Sequence, residues 1–192
     1  MTIDWLIETL KYVNLVEFFK WLSKKIYSKD KILAIRFAVD LFIILKWILI
    51  GLLWQFNVEN KFTTCFIWYL ITTNIYTYFY YHTWTKDLAK PFFDLDRIKR
   101  RFLNLMLSIG FNIFAFAYLF AQPYFENFKW SQGYSNLKDS LLFSTSNTLS
   151  TSCKSVESIT ELGSSLSLIE TLISFIFLTI ILSNSIPQTK TD

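Results

Sequence analysis

The chain has 192 residues, is 53% hydrophobic and 19% aromatic, and has a mean hydropathy of +0.34, values above those of soluble domains that point to a bilayer. With 20 Phe, 10 Tyr and 7 Trp against 4 Gly and 3 Pro, it is neither a disordered tail protein nor a loop-built binding module. The formal charge is +4, from 19 Lys and Arg against 15 Asp and Glu, but the cations flank apolar runs as membrane topology requires, and they form no nucleic-acid patch.

Residues 1–30 form the first element. Ile3, Leu6, Ile7, Leu10, Val13 and Val16, then Phe18, Phe19 and Leu22, recur at helical spacing, interrupted by Lys11, Lys20, Lys24 and Lys25. This striped pattern predicts an amphipathic helix on the membrane surface. Asp4, Glu8 and Glu17 interrupt it and no small-residue cleavage site follows, so it is not a signal peptide.

Four stretches then reach the roughly 20 apolar residues needed to cross about 30 Å of hydrocarbon. The first, 32–56, carries Arg36, Asp40 and Lys46; Arg36 and Asp40 share a helix face and can pair, while Lys46 is placed to snorkel. The second, 62–81, is uncharged and dense in Thr and Tyr, and its end merges into an aromatic belt, 76–84, around the sole histidine, His82. The third, 102–121, has Gly110 and Asn112 near its middle and is preceded by an expected interfacial helix over 94–101. The fourth, 164–186, contains one acid, Glu170. A carboxylate inside an apolar run is costly and faces a pore or a partner helix.

Lysines 20, 24, 25, 29 and 31 precede the first span, and Lys86, Lys90, Arg97, Lys99, Arg100 and Arg101 fill the connector between the second and third. Both segments are therefore expected on the cytoplasmic side of a cell membrane, with both termini inside and the loops at 57–61 and 122–161 outside. The division is an amphipathic segment (1–30), a two-span module (31–101), a third module (102–187) and a short tail (188–192).

About forty residues separate the third and fourth spans. The stretch 124–137, with Trp130 and Gly133, reads as an exterior loop; Asp139 is then a plausible helix N-cap before Ser140, Leu141, Leu142 and Phe143. A hydroxyl-rich piece follows, Ser150-Thr151-Ser152-Cys153-Lys154-Ser155. A short helix and a polar extended return suit a re-entrant loop, which is tolerated at membrane depth where it lines water or protein. An ordinary exterior loop with a short surface helix is the competing reading of 140–158, and a solvated loop lysine that of Lys154.

The order outer helix, exterior loop, short helix, polar stretch, inner helix resembles the pore module of the potassium-channel superfamily over 102–187. Leu141-Leu142-Phe143-Ser144 resembles the start of that family's pore helix and Thr148-Leu149-Ser150 its threonine-rich end. Gly163 stands where the family often has a glycine before the inner helix, and Glu170 where small bacterial members have a glutamate. The resemblance implies an all-α membrane protein with four transmembrane helices and a re-entrant pore helix between the third and fourth. It further implies a homotetramer in membrane lipid that passes monovalent ions and needs no cofactor.

By this spacing the family's filter corresponds to Ser150, Thr151, Ser152, Cys153 and Lys154, with Ser155 at the usual aspartate and Ser174 near the hinge glycine. Both filter glycines are missing. Glycine permits the positive φ that Ser and Lys resist, so stacked carbonyl rings are not expected and potassium selectivity should be weak or altered. Thr148 ends the pore helix, and Glu157 is placed to pair with Lys154. The alternative is a non-conducting membrane anchor or effector built on a channel-like scaffold. Catalysis finds no support in the sequence: His82 ends a span with no evident nucleophile, no metal-ligand cluster exists, and Cys65 and Cys153 read as separate reduced thiols.

Overall fold

The computed structural model of the protein describes residues 2–26, 31–80, 95–131 and 133–185. Within them lie helices α1 (Thr2–Val13), α2 (Leu15–Ile26), α3 (Lys31–Gln55), α4 (Lys61–Phe79), α5 (Leu95–Ala121), α6 (Asn136–Thr148) and α7 (Glu161–Ser185). A one-turn 3-10 helix (Phe125–Asn127) and two short strands, β1 (Phe128–Trp130) and β2 (Val156–Ser158), complete the elements. The protein is thus predominantly helical. Contacts divide it into two units, Met1–Leu52 and Leu53–Asp192.

In the first unit the expected single amphipathic helix is two helices, broken at Asn14. Its amide oxygen accepts from the Val16 N–H at 3.0 Å and caps α2, because an Asn side chain competes with the backbone for the helix's own donors. Phe19 of α2 packs on Phe42 of α3 with ring centroids 5.6 Å apart. Lys20 reaches Glu17 at 2.7 Å; burial nevertheless lowers its pKa, outweighing the attraction of that carboxylate. Lys46, expected to snorkel, is only 5% exposed.

Among the described residues, three helical segments are long and apolar enough to cross a membrane: Leu33–Gln55, Phe102–Ala121 and Glu161–Ile181. These make the chain a multi-pass membrane protein by length and composition. The expected second span, 62–81, is not among them. Helix α4 has 19 residues, about 28 Å of rise, but Thr63, Thr64, Thr72, Thr73, Asn74 and Thr77 dilute its hydropathy. The expected interfacial helix over 94–101 is, from Leu95, the first turns of α5, since no Gly or Pro separates the basic cluster from the span. His82, the end of the aromatic belt, most of the basic connector and the tail lie outside the described residues.

In the second unit α5 is the central helix: Phe116, Ala117, Tyr118, Leu119 and Phe120 are all fully buried, with α4, α6 and α7 packed around it. Helix α7 buries one stripe, Leu166, Glu170, Ile173, Phe177 and Ile180, and exposes Leu168, Leu172, Phe175 and Leu178. The two connectors expected to share one side of the membrane meet: Tyr118 donates its hydroxyl to the Val58 carbonyl, and Gln122 Nε2 lies 3.1 Å from Asn57 Oδ1.

The connector between α5 and α7, expected as an exterior loop, is more ordered than its sequence suggests. Strands β1 and β2 pair antiparallel, with Phe128 opposite Ser158, Lys129 opposite Glu157 and Trp130 opposite Val156. Phe120, Phe128 and Phe143 pack ring on ring at 5.0–5.3 Å, clasping α5, the ribbon and α6 together. Gly163 is required where α7 crosses the 3-10 helix, because a Cβ there would stand 2.6 Å from the Asn127 carbonyl oxygen.

Candidate functional site

Helix α6 begins a turn earlier than Asp139 implies. Ser135 is the N-cap residue, and Asp139 reaches back to accept from the Ser135 N–H at 2.6 Å, so the acid supports the cap without occupying it. From there α6 descends beside α5. Phe143 meets Phe120, Ser144 Oγ donates to the Ile113 carbonyl at 2.8 Å, and the last residues, Thr148 to Ser150, face Ile109 and Asn112 across a cleft of about 390 Å³. Ile109 lies twelve residues from the end of α5, about 18 Å along the helix.

The end of α6 is a Schellman turn. The Ser150 N–H bonds the Asn147 carbonyl at 3.0 Å and the Thr151 N–H bonds the Ser146 carbonyl at 2.8 Å. Ser150 has φ +54°, the left-handed conformation that glycine usually supplies at this point. Ser150 stands at the first of the five filter-like positions; Ser152 and Lys154, which stand at the two missing glycines, do not take positive φ, and the left-handed turn at Ser150 is held by two capped carbonyls and the packed helix above.

The filter-like residues that follow have no regular structure as far as Cys153 and form a turn at Lys154 and Ser155. Ser150, Thr151, Ser152 and Lys154 are exposed, Thr148, Cys153 and Ser155 half-buried. Cys153 Sγ lies 3.2 Å from Ser155 Oγ, and the Ser155 carbonyl accepts from the Ser131 N–H at 2.9 Å, which leads the chain into β2. Seven residues, 149–155, can span at most about 24 Å, enough to climb back from the foot of α6 to the ribbon. Glu157, expected beside Lys154, makes no ion pair with it. As a strand residue it lies opposite Lys129, because strand pairing and not side-chain charge sets its position.

Glu170 is 1% exposed. Its carboxyl meets the Ser144 hydroxyl, whose one proton is shared with the Ile113 carbonyl, and accepts from Asn147 Nδ2 at 3.0 Å, so α7 is latched to one face of α6. Thr171 adds a longer bond, 3.4 Å, to the Asn147 carbonyl. Ser174, half-buried one turn on, donates to the Glu170 carbonyl at 2.9 Å and lines the cleft. Buried carboxyls persist where donors replace lost water, and here two are supplied by one helix.

Sequence reasoning singles out Glu170 but not its partners. Ser144 and Asn147, three apart in α6, share a face, and that spacing is the signal for the latch. A second polar cluster escapes it entirely: Asn74 of α4 donates from Nδ2 to the Ser108 carbonyl at 3.1 Å and to Asn112 Oδ1 at 3.0 Å, while Ser108 Oγ donates to Asn74 Oδ1 at 3.0 Å. Ser108 and Asn112, four apart in an otherwise apolar span, were its available sign. At the start of α7, Thr160 Oγ1 accepts from the Gly163 N–H at 3.0 Å and donates to Asn127 Oδ1 at 2.8 Å, capping the helix and holding it to the 3-10 turn.

Among the described residues, no group of three His, Cys, Asp or Glu side chains is placed to hold a metal ion. The oxygen-rich stretch is the hydroxyl series Ser150, Thr151 and Ser152, at the foot of a helix whose C-terminal carbonyls carry partial negative charge. No family model, curated protein or solved structure matches the chain.

Proposed function

We propose that the chain is one subunit of a homotetrameric membrane ion channel, with α6 as a re-entrant pore helix and residues 150–154 as a non-standard filter. The observation that carries this reading is the path of the chain: in along α6 to a point about 18 Å along α5 from its end, through a left-handed turn, and out again to β2. An ordinary surface helix has no reason to seat its last turn against the middle of two apolar helices. One pore loop per chain encloses nothing, so four copies are needed to close a ring in the lipid. In this proposal α4 completes four spans, its polar face covered by α5, and both termini lie on the cytoplasmic side of the cell membrane.

Without the filter glycines, an ion is coordinated by hydroxyls or keeps part of its water, and discrimination of potassium from sodium is weak. Ion flux through purified protein in liposomes tests the proposal, with bi-ionic reversal potentials close to zero for potassium against sodium as the expected result. Strong potassium preference would contradict the filter assignment. One observation favours the non-conducting anchor: the N–H groups of Ser150 and Thr151 cap α6, so this part of the backbone is spent on the helix end. A monomer or dimer in detergent, with no flux, would select that second reading. Labelling from outside intact cells should fail at a cysteine placed at Lys90 or Lys99, and efficient labelling there would overturn the topology.

A further inference from the structure

The apolar stripe of the first thirty residues puts Ile7 and Val16 on the lipid side together with Phe18, but the fold separates them. Val16 and Ser23, two turns apart in α2, are buried along with Ile7, and Phe19 packs on Phe42 of α3, so one face of α2 is committed to the protein. The opposite face carries Phe18, Trp21, Leu22, Lys25 and Ile26, all exposed, with Trp21 at 58%. Phe18 stacks on Trp21 with ring centroids 6.1 Å apart, and Lys25 Nζ stands 5.5 Å from the centroid of the Trp21 ring. Lys24 is exposed beside them. From residue 17 to 31 the chain has lysines 20, 24, 25, 29 and 31 against the acids Glu17 and Asp30 alone. Helix α1 also exposes Trp5 and Tyr12, but there Asp4 and Glu8 outnumber Lys11. Only residues 27–30 separate α2 from α3, so its end stands within about 18 Å of the start of a helix apolar enough to cross a membrane. An aromatic face edged by lysines beside a span has the chemistry of the boundary between acyl chains and headgroups, where indole rings settle and ammonium groups reach phosphate.

We propose that the Phe18, Trp21 and Lys25 face of α2 is a docking surface for anionic phospholipid, with the rings among the upper acyl chains and the Lys24 and Lys25 ammonium groups on the headgroups. Zwitterionic lipid offers the rings the same apolar depth but gives the lysines no net charge, whereas each lysine beside an anionic surface strengthens association about fivefold. A second copy of the chain is a poor occupant, because pairing this face with itself brings four exposed lysines together. The surface lies within the first unit and needs neither a ring of subunits nor conduction, so it stands or falls apart from the channel reading.

The test uses the purified full-length protein in liposomes in which either phosphatidylcholine or phosphatidylserine, at equal fraction, carries brominated acyl chains that quench indole fluorescence on contact. The Trp21 signal is the difference between the parent and Trp21→Phe. Both lipids should quench it, with phosphatidylserine preferred at least about tenfold in relative association at low ionic strength and the preference falling as salt is added. Lys24→Gln and Lys25→Gln should each lower that preference about fivefold. Lys129→Gln, an exposed lysine of β1, should leave it unchanged. All these changes are at exposed positions and spare the buried face of α2, so the variants keep the parent's fold. Equal quenching by the two lipids, or an unchanged preference in both α2 lysine variants, would overturn the proposal. So would a Trp21 signal that neither lipid reaches: quenching by aqueous iodide would then place the face in water, and protection from iodide as well would place it against a second copy or another chain.

Discussion

Ser150 holds a left-handed backbone conformation that costs a non-glycine residue about 1 kcal/mol, and it does so at the position where the Schellman turn closes α6. Ser150→Gly should therefore stabilise the second unit by about 0.5–1 kcal/mol, read as a higher midpoint of thermal unfolding by tryptophan fluorescence; an unchanged or lower midpoint would show that the serine side chain contributes more than the backbone loses. Tyr134, beside Trp130 with ring centroids 4.5 Å apart, has its phenol pushed up to about 12 by burial, with the Asp139 carboxylate adding to the shift. The folded state holds this proton more tightly than the unfolded chain, whose phenol titrates near 10. Its contribution to stability is thus complete below about pH 10 and is lost as pH rises towards 12. Tyr134→Phe should lose less stability than the parent across that window when unfolding midpoints are compared.

At the scale of elements, polar contacts do what apolar packing alone does loosely inside a bilayer, fixing which helix face meets which. Glu170 latches α7 to α6. Glu170→Ala strands the Asn147 amide and should cost about 1–3 kcal/mol, while Glu170→Gln keeps a carbonyl for Asn147 and an amide for Ser144 and should stay near the parent. Equal loss in both variants would mean that carboxylate charge, and not hydrogen bonding, holds the helices. The Asn74 cluster does the same for α4. Asn74→Leu leaves Ser108 Oγ and Asn112 Oδ1 without their α4 partner, and a cysteine at Thr73, which is 8% exposed, should then react with maleimide several-fold faster. A helix this rich in threonine depends on docking for its place, so unchanged reactivity would show that lipid alone accommodates it.

For the whole molecule, the proposed assembly brings four copies of Lys154 together at the outer mouth. At about 7 Å and an effective dielectric near 20, each adjacent pair repels by roughly 2 kcal/mol, and an entering cation meets the sum. Lys154→Gln and Lys154→Gly should then raise cation flux, and Lys154→Glu should shift preference towards divalent cations, measured as reversal potentials at low ionic strength and matched expression. In a single exposed loop the same charge is screened within about 8 Å at physiological salt, and all variants would match the parent. Identical flux in all of them would sink the filter assignment while leaving the path of α6 untouched.

Helicity, the three long apolar segments and the position of α6 are legible in the residues themselves, because hydropathy and turn chemistry are local quantities that a chain carries into any fold. So is the importance of Glu170, since an acid in an apolar run must find donors wherever it is placed. The break at Asn14 and the start of α6 at Asn136 were harder, because Asx and Ser side chains cap a helix at several neighbouring positions at similar cost. The β1–β2 ribbon, the Asn127 contact that demands Gly163, and the meeting of Asn74 with Ser108 join residues about thirty apart, and nothing local marks them as partners. Asn112 shows the division most clearly: its polarity in the third span is evident from sequence, but which of its two amide atoms is satisfied was decided only when α4 packed against α5 and used the oxygen.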